Sequence, residues 1–393
     1  MRNFASKFFV LLLVVTNLRG SLGYIFRFGD PESSSTYSER PVEFFIFWNI
    51  LIWLMLILVV YKTRNISKKY LAIYLVSIIF SFICISQTKT FYVLATARSI
   101  FLYGFFFLCL YSARSWIKIS QINKAIELMT AFGIVFLLYQ IYQYNYFGIL
   151  PAHSHLGIGI RYGSFYDDSL VLGILLPMFA GYFLNKYQKT FPTLVTSLVI
   201  GLVVILTGSI TAIVAVFLYI VWKQRKRYGL LLFFLCVSSV SAIYFSNQIK
   251  YMWLSKTASI AAHLAGWDSF KDIGLLNLIG FSPLSHFVES GYLSFLYNFG
   301  IPILVIVLVF HFATLKACHL ILKSRTSSKE MQNFAGAVEG LTISVLFANF
   351  NLPPIVYPPV YLLVAIFSAM VLNPQRYNTT VTSPIVSSKP RMN

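Results

Sequence analysis

The sequence predicts an all-α, polytopic transmembrane helical bundle of about 12 spans, with one large outer loop containing an interfacial helix. Three observations carry that expectation. Hydrophobic residues make up 58% of the 393, and charged residues only 11%, against roughly 25% charged in a soluble domain. The apolar residues come in blocks of about 17 to 25, long enough to cross a bilayer. They lack the period-two alternation of a transmembrane barrel, so helices, which satisfy their own backbone groups in lipid, are the economical solution. Finally, the basic residues sit in short clusters between the blocks. A net charge of +19 therefore reads as a topology signal, with no patch or stripe of the kind that binds nucleic acid.

In chain order the spans fall near 8–25, 42–61, 70–86, 91–111, 125–146, 169–184, 192–207, 209–222, 230–246, 291–315, 335–350 and 359–372. The first contains Arg19, and its apolar run from Phe8 to Thr16 resembles a signal-peptide core. However, Thr16-Asn17-Leu18-Arg19 offers no small-x-small cleavage site, so the run is expected to stay as a span. The pair meeting at Thr207, Gly208 and Ser209 is either two close spans or one broken hairpin. A single membrane domain thus covers 1–372, and the polar tail 373–393 is expected to be disordered. Cys84, Cys109, Cys236 and Cys318 lie in or beside apolar blocks without paired spacing and are expected to be buried thiols. Glu127 and Glu339 fall near span boundaries and read as interface residues.

With the N-terminus in the cytoplasm, 22 of the 31 lysines and arginines fall in inner segments and 7 in outer ones, leaving Arg19 and Arg98 within spans. That threefold bias predicts two cytoplasmic termini. The longest outer segment is then 247–290. Within it Ile260, Leu264, Trp267 and Ile273 recur at near-helical spacing among Lys256, Asp268, Lys271 and Asp272. This describes a helix lying in the membrane interface with Trp267 at headgroup level, and His263 on the same face. Gly280 and Pro283 end the helix before the next span opens at Glu289-Ser290-Gly291-Tyr292-Leu293.

Few residues could carry chemistry. Arg161 is the only charged residue of the outer loop 147–166. Its guanidinium fork suits a phosphate group, and an interfacial anchor is the plainer role. Asp167 and Asp168 cap the following span. Glu289 sits where the long loop enters a span, on one helix face with Tyr292 and Leu293. A half-desolvated carboxylate there suits a general base; the alternative is a carboxylate complementing the helix dipole. His263 and His286 are the nearby substitutes for the base. Arg98 lies inside a span, where an arginine is costly and marks a function unless it snorkels to the surface. The aromatic stretch 138–147 is an interfacial belt that would also stack on sugar rings. His153-x-His155 has no third ligand, and no HExxH, Walker or paired-cysteine pattern appears, so no metal or other cofactor is expected.

The order of these features resembles the O-antigen polymerase and O-antigen ligase superfamily of bacterial membrane glycosyltransferases. Arg161-Tyr162-Gly163-Ser164-Phe165 resembles its arginine-x-glycine-x-phenylalanine motif at the start of a span. Leu206-Thr207-Gly208-Ser209 resembles its tight turn between close spans. His263 to Gly280, with Trp267 and Phe270, resembles its outer-loop pattern, and Glu289-Ser290-Gly291-Tyr292-Leu293 followed by Gly300 resembles the motif that opens the next span. The resemblance covers roughly 155–310. Ile210 stands where members often have arginine after the turn, and His263 where many have arginine before the loop tryptophan. Glu289 replaces the histidine typical of ligases, which makes the chain polymerase-like.

The resemblance implies a metal-independent transfer of glycan from a polyprenyl diphosphate at the outer face of the bacterial cytoplasmic membrane. The product would be O-antigen, capsule or exopolysaccharide. It implies Glu289 as base, with His263 or His286 as deputies, and Arg161, Arg98 and Lys256 as cations on the diphosphate. Trp267 and Tyr292 would line the substrate groove. The expected partners are the lipid-linked glycan and the bilayer itself, with a flippase and a chain-length regulator as companions. A ligase passing glycan to another acceptor is the nearest alternative. A polysaccharide or lipid transporter is the alternative from a different class, although no internal repeat is visible.

Overall fold

A computed structural model describes residues 2–17, 42–63, 65–87, 91–113, 116–148, 162, 169–187, 190–207, 210–224, 236, 268, 271, 273–280, 290–350 and 358–374. Among them the regular structure is helical, with one isolated antiparallel bridge between Thr63 and Ala113. The helices are α1 (Arg2–Asn17), α2 (Val42–Lys62), α3 (Lys68–Gln87), α4 (Phe91–Ser112), α5 (Ile119–Phe147), α6 (Ser169–Lys186), α7 (Thr190–Thr207), α8 (Ile210–Gln224), α9 (Leu275–Leu278), α10 (Gly291–Lys323), α11 (Lys329–Ala348) and α12 (Pro358–Leu372). By length and composition α3, α5 and α10 could each cross a membrane, and α1, α2, α4, α6, α7, α8 and α12 contribute shorter apolar stretches.

The helices are arranged for an apolar surrounding. On α3 the exposed face carries Leu75, Val76, Ile79 and Phe82, and the buried face carries Ser77, Ser81 and Cys84. The two serines satisfy themselves within the helix, Ser77 on the Ile73 carbonyl at 2.9 Å and Ser81 on the Ser77 carbonyl at 2.8 Å. A helix with its apolar stripe outward and its hydroxyls inward is the reverse of a water-facing helix. Val305, Val309 and Phe312 of α10 and Val135 and Leu138 of α5 continue that apolar exterior.

α11 is the hub. It is buried on nearly every face and packs against α5, α6, α8, α10 and α12. Its closest partner is α6, through a seam of small residues. A Cβ on Gly340 would lie 1.9 Å from the Pro177 carbonyl oxygen, and one on Gly181 would lie 2.0 Å from the Gly336 carbonyl oxygen. Gly336 and Gly340 are one turn apart on α11 and face Pro177 and Gly181, one turn apart on α6. Such small-x-x-x-small pairs let helix backbones touch where burial in lipid supplies no hydrophobic drive. Gly173 of α6 meets Ala212 of α8 in the same way, its Cβ falling 2.4 Å from the alanine methyl.

Hydrogen bonds fix which helix ends lie together. At one end the Thr63 hydroxyl donates to the Cys109 carbonyl at 3.0 Å, Ser6 donates to Gln121, Asn123 Nδ2 donates to the Glu330 carbonyl at 3.0 Å, and Asn373 Nδ2 donates to the Tyr111 carbonyl at 2.9 Å. At the other, α10 begins against the finish of α11, and Gly280 lies beside Cys84 near the finish of α3. From α1 to α8 the described helices therefore run alternately toward and away from the first end. Lys62, Lys68, Lys124, Lys186, Lys223 and Lys329 belong to that end, whereas Arg98 and Lys271 lie toward the opposite one.

Most expected span boundaries match described helices within a few residues. Four differ: α1 begins at Arg2, six residues before the expected span, and the other three differ for identifiable reasons. α5 begins at Ile119 and α11 at Lys329 because polar residues at those ends face neighbouring helices, as Asn123 and Asn333 do in burial. α10 runs on to Lys323 and is interrupted at Gly300. The expected span 230–246, apart from helical Cys236, and the interfacial helix around Trp267 lie outside the described residues, as does Arg19. Cys84, Cys109 and Cys318 are buried, but Cys236 is exposed, contrary to the expectation for all four.

Glu339 departs from its reading as an interface residue. Its side chain is 7% exposed and pairs with Lys223 Nζ at 3.2 Å, joining α11 to α8. The Tyr219 hydroxyl, fully buried one turn before Lys223, donates to the Gly336 carbonyl at 3.3 Å. Glu127, by contrast, stays half-exposed, accepting from Lys186 at 2.7 Å and from the Tyr182 hydroxyl at 2.5 Å.

Candidate functional site

The opening of α10, where the sequence places its base and groove residues, is built on the finish of α11. Ser290 is the N-cap: its hydroxyl oxygen accepts from the Leu293 N–H and its proton goes to the Asn349 carbonyl at 3.2 Å. The Tyr292 N–H donates to the same carbonyl at 3.1 Å, and its hydroxyl donates to the Leu346 carbonyl at 2.6 Å. Its ring meets Phe350 edge-on at 4.9 Å. These contacts satisfy the carbonyls left free where α11 ends. Tyr292, expected in a substrate groove, therefore spends its hydroxyl on holding α10 to α11.

Beyond Tyr292 the first part of α10 is almost wholly buried, up to a break at Gly300, where φ is 73°. Only glycine adopts that conformation cheaply, and Pro302 supplies no N–H for the Asn298 carbonyl. The gap is filled by the turn that follows α9. A Cβ on Gly300 would lie 2.4 Å from the Gly280 nitrogen, and one on Gly280, with φ 86°, would lie 2.6 Å from the Phe299 carbonyl oxygen. Asn277 holds the turn, its Oδ1 accepting from the Gly274 N–H at 2.8 Å. Irregular backbone at this depth is tolerable because protein surrounds it. Gly280 thus lies in a turn after the short helix α9, and that turn locks into the break at Gly300, which the sequence did not lead us to expect.

Asn349 has a further property. Its Nδ2 donates to the Val345 carbonyl at 2.9 Å, which fixes the amide orientation, and its Oδ1 is buried and accepts no close hydrogen bond among the described residues. The Tyr361 hydroxyl of α12 lies beside this amide, its side-chain partner across the helix junction, and close to Tyr292. Asn349 is 0% exposed and Tyr361 9%.

Two other groups lie toward this end. The Arg98 guanidinium is exposed and donates to Asn49 Oδ1 at 2.5 Å, so α4 offers a cation held by an uncharged partner. The Tyr162 N–H, next in sequence to Arg161, donates to the Leu206 carbonyl at 3.0 Å. That bond brings Tyr162 to the finish of α7, one residue before Thr207. The Tyr162 side chain is buried, and desolvation, reinforced by Tyr144, raises its phenol above the ordinary value. Lys271 and Asp268 form an exposed pair at 3.7 Å, with the i,i+3 spacing of a helical turn.

Of the residues singled out from the sequence, Arg98 and Tyr292 are described, and no described contact joins them. Glu289, His263, His286, Arg161, Lys256 and Trp267 lie outside the described residues. Among the described residues no three histidine, cysteine, aspartate or glutamate side chains gather as metal ligands would. Sequence reasoning passed over Asn349, Tyr361 and Gly300. The last carried a signal, since Gly300-Ile301-Pro302 inside an apolar run marks a helix interruption. No protein-family model matches the chain, and no curated protein matches its sequence.

Proposed function

We propose that the chain is a polysaccharide polymerase of the bacterial cytoplasmic membrane, with about 12 spans and both termini in the cytoplasm. It would join repeat units carried on a polyprenyl diphosphate at the outer face. The observation that carries this reading is the hydrogen bond from the Tyr162 N–H to the Leu206 carbonyl. It joins two sequence-distant segments, each resembling a motif of the polymerase and ligase superfamily, at the end of the bundle where the Glu289–Leu293 motif begins α10. The gathering of described lysines at the opposite end supports a cytoplasmic orientation for that end.

In the proposed reaction Glu289, or His263 or His286 in its place, removes the proton from an acceptor sugar hydroxyl. The hydroxyl oxygen bonds to the anomeric carbon of the donor, whose bond to the diphosphate oxygen breaks. The leaving diphosphate keeps the electron pair and its charge is met by Arg161, with Arg98 and Lys256 assisting. A diphosphate leaves without protonation, so no second carboxylate is required, unlike glycoside hydrolysis. Trp267 would bound the groove. The partners would be the lipid-linked glycan, a flippase that delivers it and a chain-length regulator.

Arg161→Ala and Glu289→Gln should each abolish long polymer while leaving the amount of protein in the membrane unchanged. Normal chain length in either variant overturns the assignment. A ligase would instead leave lipid-linked polymer accumulating when it is lost, whereas loss of a polymerase leaves single repeat units.

The interrupted α10 favours a transporter as the second reading, because transporters use broken helices to build midplane sites. Liposomes holding the purified protein and lipid-linked oligosaccharide separate the two. Polymer growth without net movement of lipid means enzyme; movement without growth means transporter.

A further inference from the structure

We infer that the connections joining α2 to α3 and α4 to α5 form a docking surface for an anionic phospholipid, in the leaflet at the lysine-bearing end of the bundle. The inference needs only that the apolar helices lie in a bilayer, and it is independent of the polymerase reading. Hydrogen bonds staple the two connections together. Thr63 and Ala113 pair as an antiparallel bridge, the Thr63 hydroxyl donates to the Cys109 carbonyl at 3.0 Å, and the Ser67 N–H donates to the Ser112 hydroxyl at 3.2 Å. The Tyr70 and Tyr111 rings meet beside them, 4.4 Å apart between centroids. Lys62, Lys68 and Lys69, which flank the first connection, are thereby set against the second, which ends on Lys118.

Charge and its placement select the partner. Segments 62–69 and 113–118 contain no aspartate or glutamate, and among the described residues none of the four lysines pairs with a carboxylate. Lys186 and Lys223, at the same end, are each matched by a glutamate. Lys68 and Lys69 open α3, Lys118 is the N-cap of α5, and neither helix has an acidic residue in its first turn. The helix dipole disfavours a cation there, so the arrangement is costly until an anion arrives from outside. Lys68, Lys69 and Lys118 are exposed and able to meet one. Beside them the surface is apolar, with Ile57, Val60 and Tyr61 of α2 and Ile73, Leu75 and Val76 of α3 exposed. Lys62 Nζ stands 4.7 Å from the centre of the Tyr61 ring and Lys69 Nζ 5.8 Å from that of Tyr70, ammonium groups held at the level of interfacial tyrosines. A molecule with a phosphate at its head and hydrocarbon behind it matches both halves of this surface. A soluble phosphate matches only the first.

The test uses the full-length protein in a non-ionic detergent, titrated with phosphatidylglycerol or phosphatidylcholine, with the retained lipid read by native mass spectrometry. Wild type should hold phosphatidylglycerol in preference to phosphatidylcholine. Lys68→Gln/Lys69→Gln should weaken that binding about 25-fold, at about fivefold for each lysine lost. Lys68→Arg/Lys69→Arg should keep it. Lys323→Gln/Arg325→Gln removes the same charge at the finish of α10 and should leave it unchanged. If the glutamine pair on α3 fails to insert, Lys118→Gln on the other connection is read in its place, with a loss of about fivefold. Absence of a preference in wild type overturns the inference. Equal loss in the α3 and α10 variants overturns it in favour of diffuse attraction to the net charge. Displacement of phosphatidylglycerol by an equal concentration of inorganic phosphate overturns it in favour of a soluble anion.

Discussion

A single buried carboxylate shows how far one residue's role depends on its partner. Glu339 sits within the apolar bundle with Lys223 as its counter-charge. Removing one member of a buried pair leaves an uncompensated charge, which costs roughly 3–5 kcal/mol. Lys223→Met should therefore lower the thermal stability of the detergent-solubilised protein strongly. The double variant Lys223→Met/Glu339→Leu should recover most of that loss, since replacing both charges by apolar groups is often neutral or stabilising. Equal melting of single and double variants would mean the pair is immaterial. Lys186→Met should cost much less, because the Glu127 pair is about one-third exposed and such pairs contribute only about 0–1 kcal/mol. The sequence could not distinguish these glutamates. Each sits near the end of an apolar block, and the partner of Glu339 lies 116 residues away in the chain.

At the scale of helices the seam between α6 and α11 makes a sharp forecast. The atom that a methyl on Gly340 would strike is a backbone carbonyl, which cannot swing aside as a side chain can. Gly340→Ala must push two helices apart and should destabilise by at least about 1–3 kcal/mol, the usual cost of overpacking. Gly201→Ala on α7 is the control: nothing lies within 4 Å of the added carbon, so the change should stay within about 0.5 kcal/mol. Comparable melting temperatures for the two variants would remove the seam from the account. Helix positions were largely legible beforehand, because an apolar run of bilayer length leaves the backbone few alternatives. The seam had a local signature in Gly336-x-x-x-Gly340 that was overlooked. The break at Gly300 was hidden inside a continuous apolar run, and its cause, the Gly280 turn, comes from a different segment. Of the candidate site, Tyr292 was recognised for the right place and the wrong task. Asn349 and Tyr361 were invisible because a polar residue at the end of a span ordinarily reads as a cap.

For the molecule as a whole, the alternating helix directions and the lysine-bearing end make orientation directly measurable. A phosphatase that matures only outside the cytoplasm should be active when fused after Gly148, at the finish of α5. A fluorescent protein that matures only inside should light up when fused after Ser327, in the connection between α10 and α11. The reverse pattern would put the start of α10 on the wrong side for glycan delivered outward. The hub position of α11 also bears on how the protein is made. Ribosomes deliver helices in order, yet the one that α5, α6, α8 and α10 close around is among the last to emerge. Until it arrives, Gly181 of α6 and Lys223 of α8 lack the partners that they have in the finished bundle. Shortening the chain from its C-terminal side would therefore not trim an appendage; it would withhold the keystone from everything inserted before it.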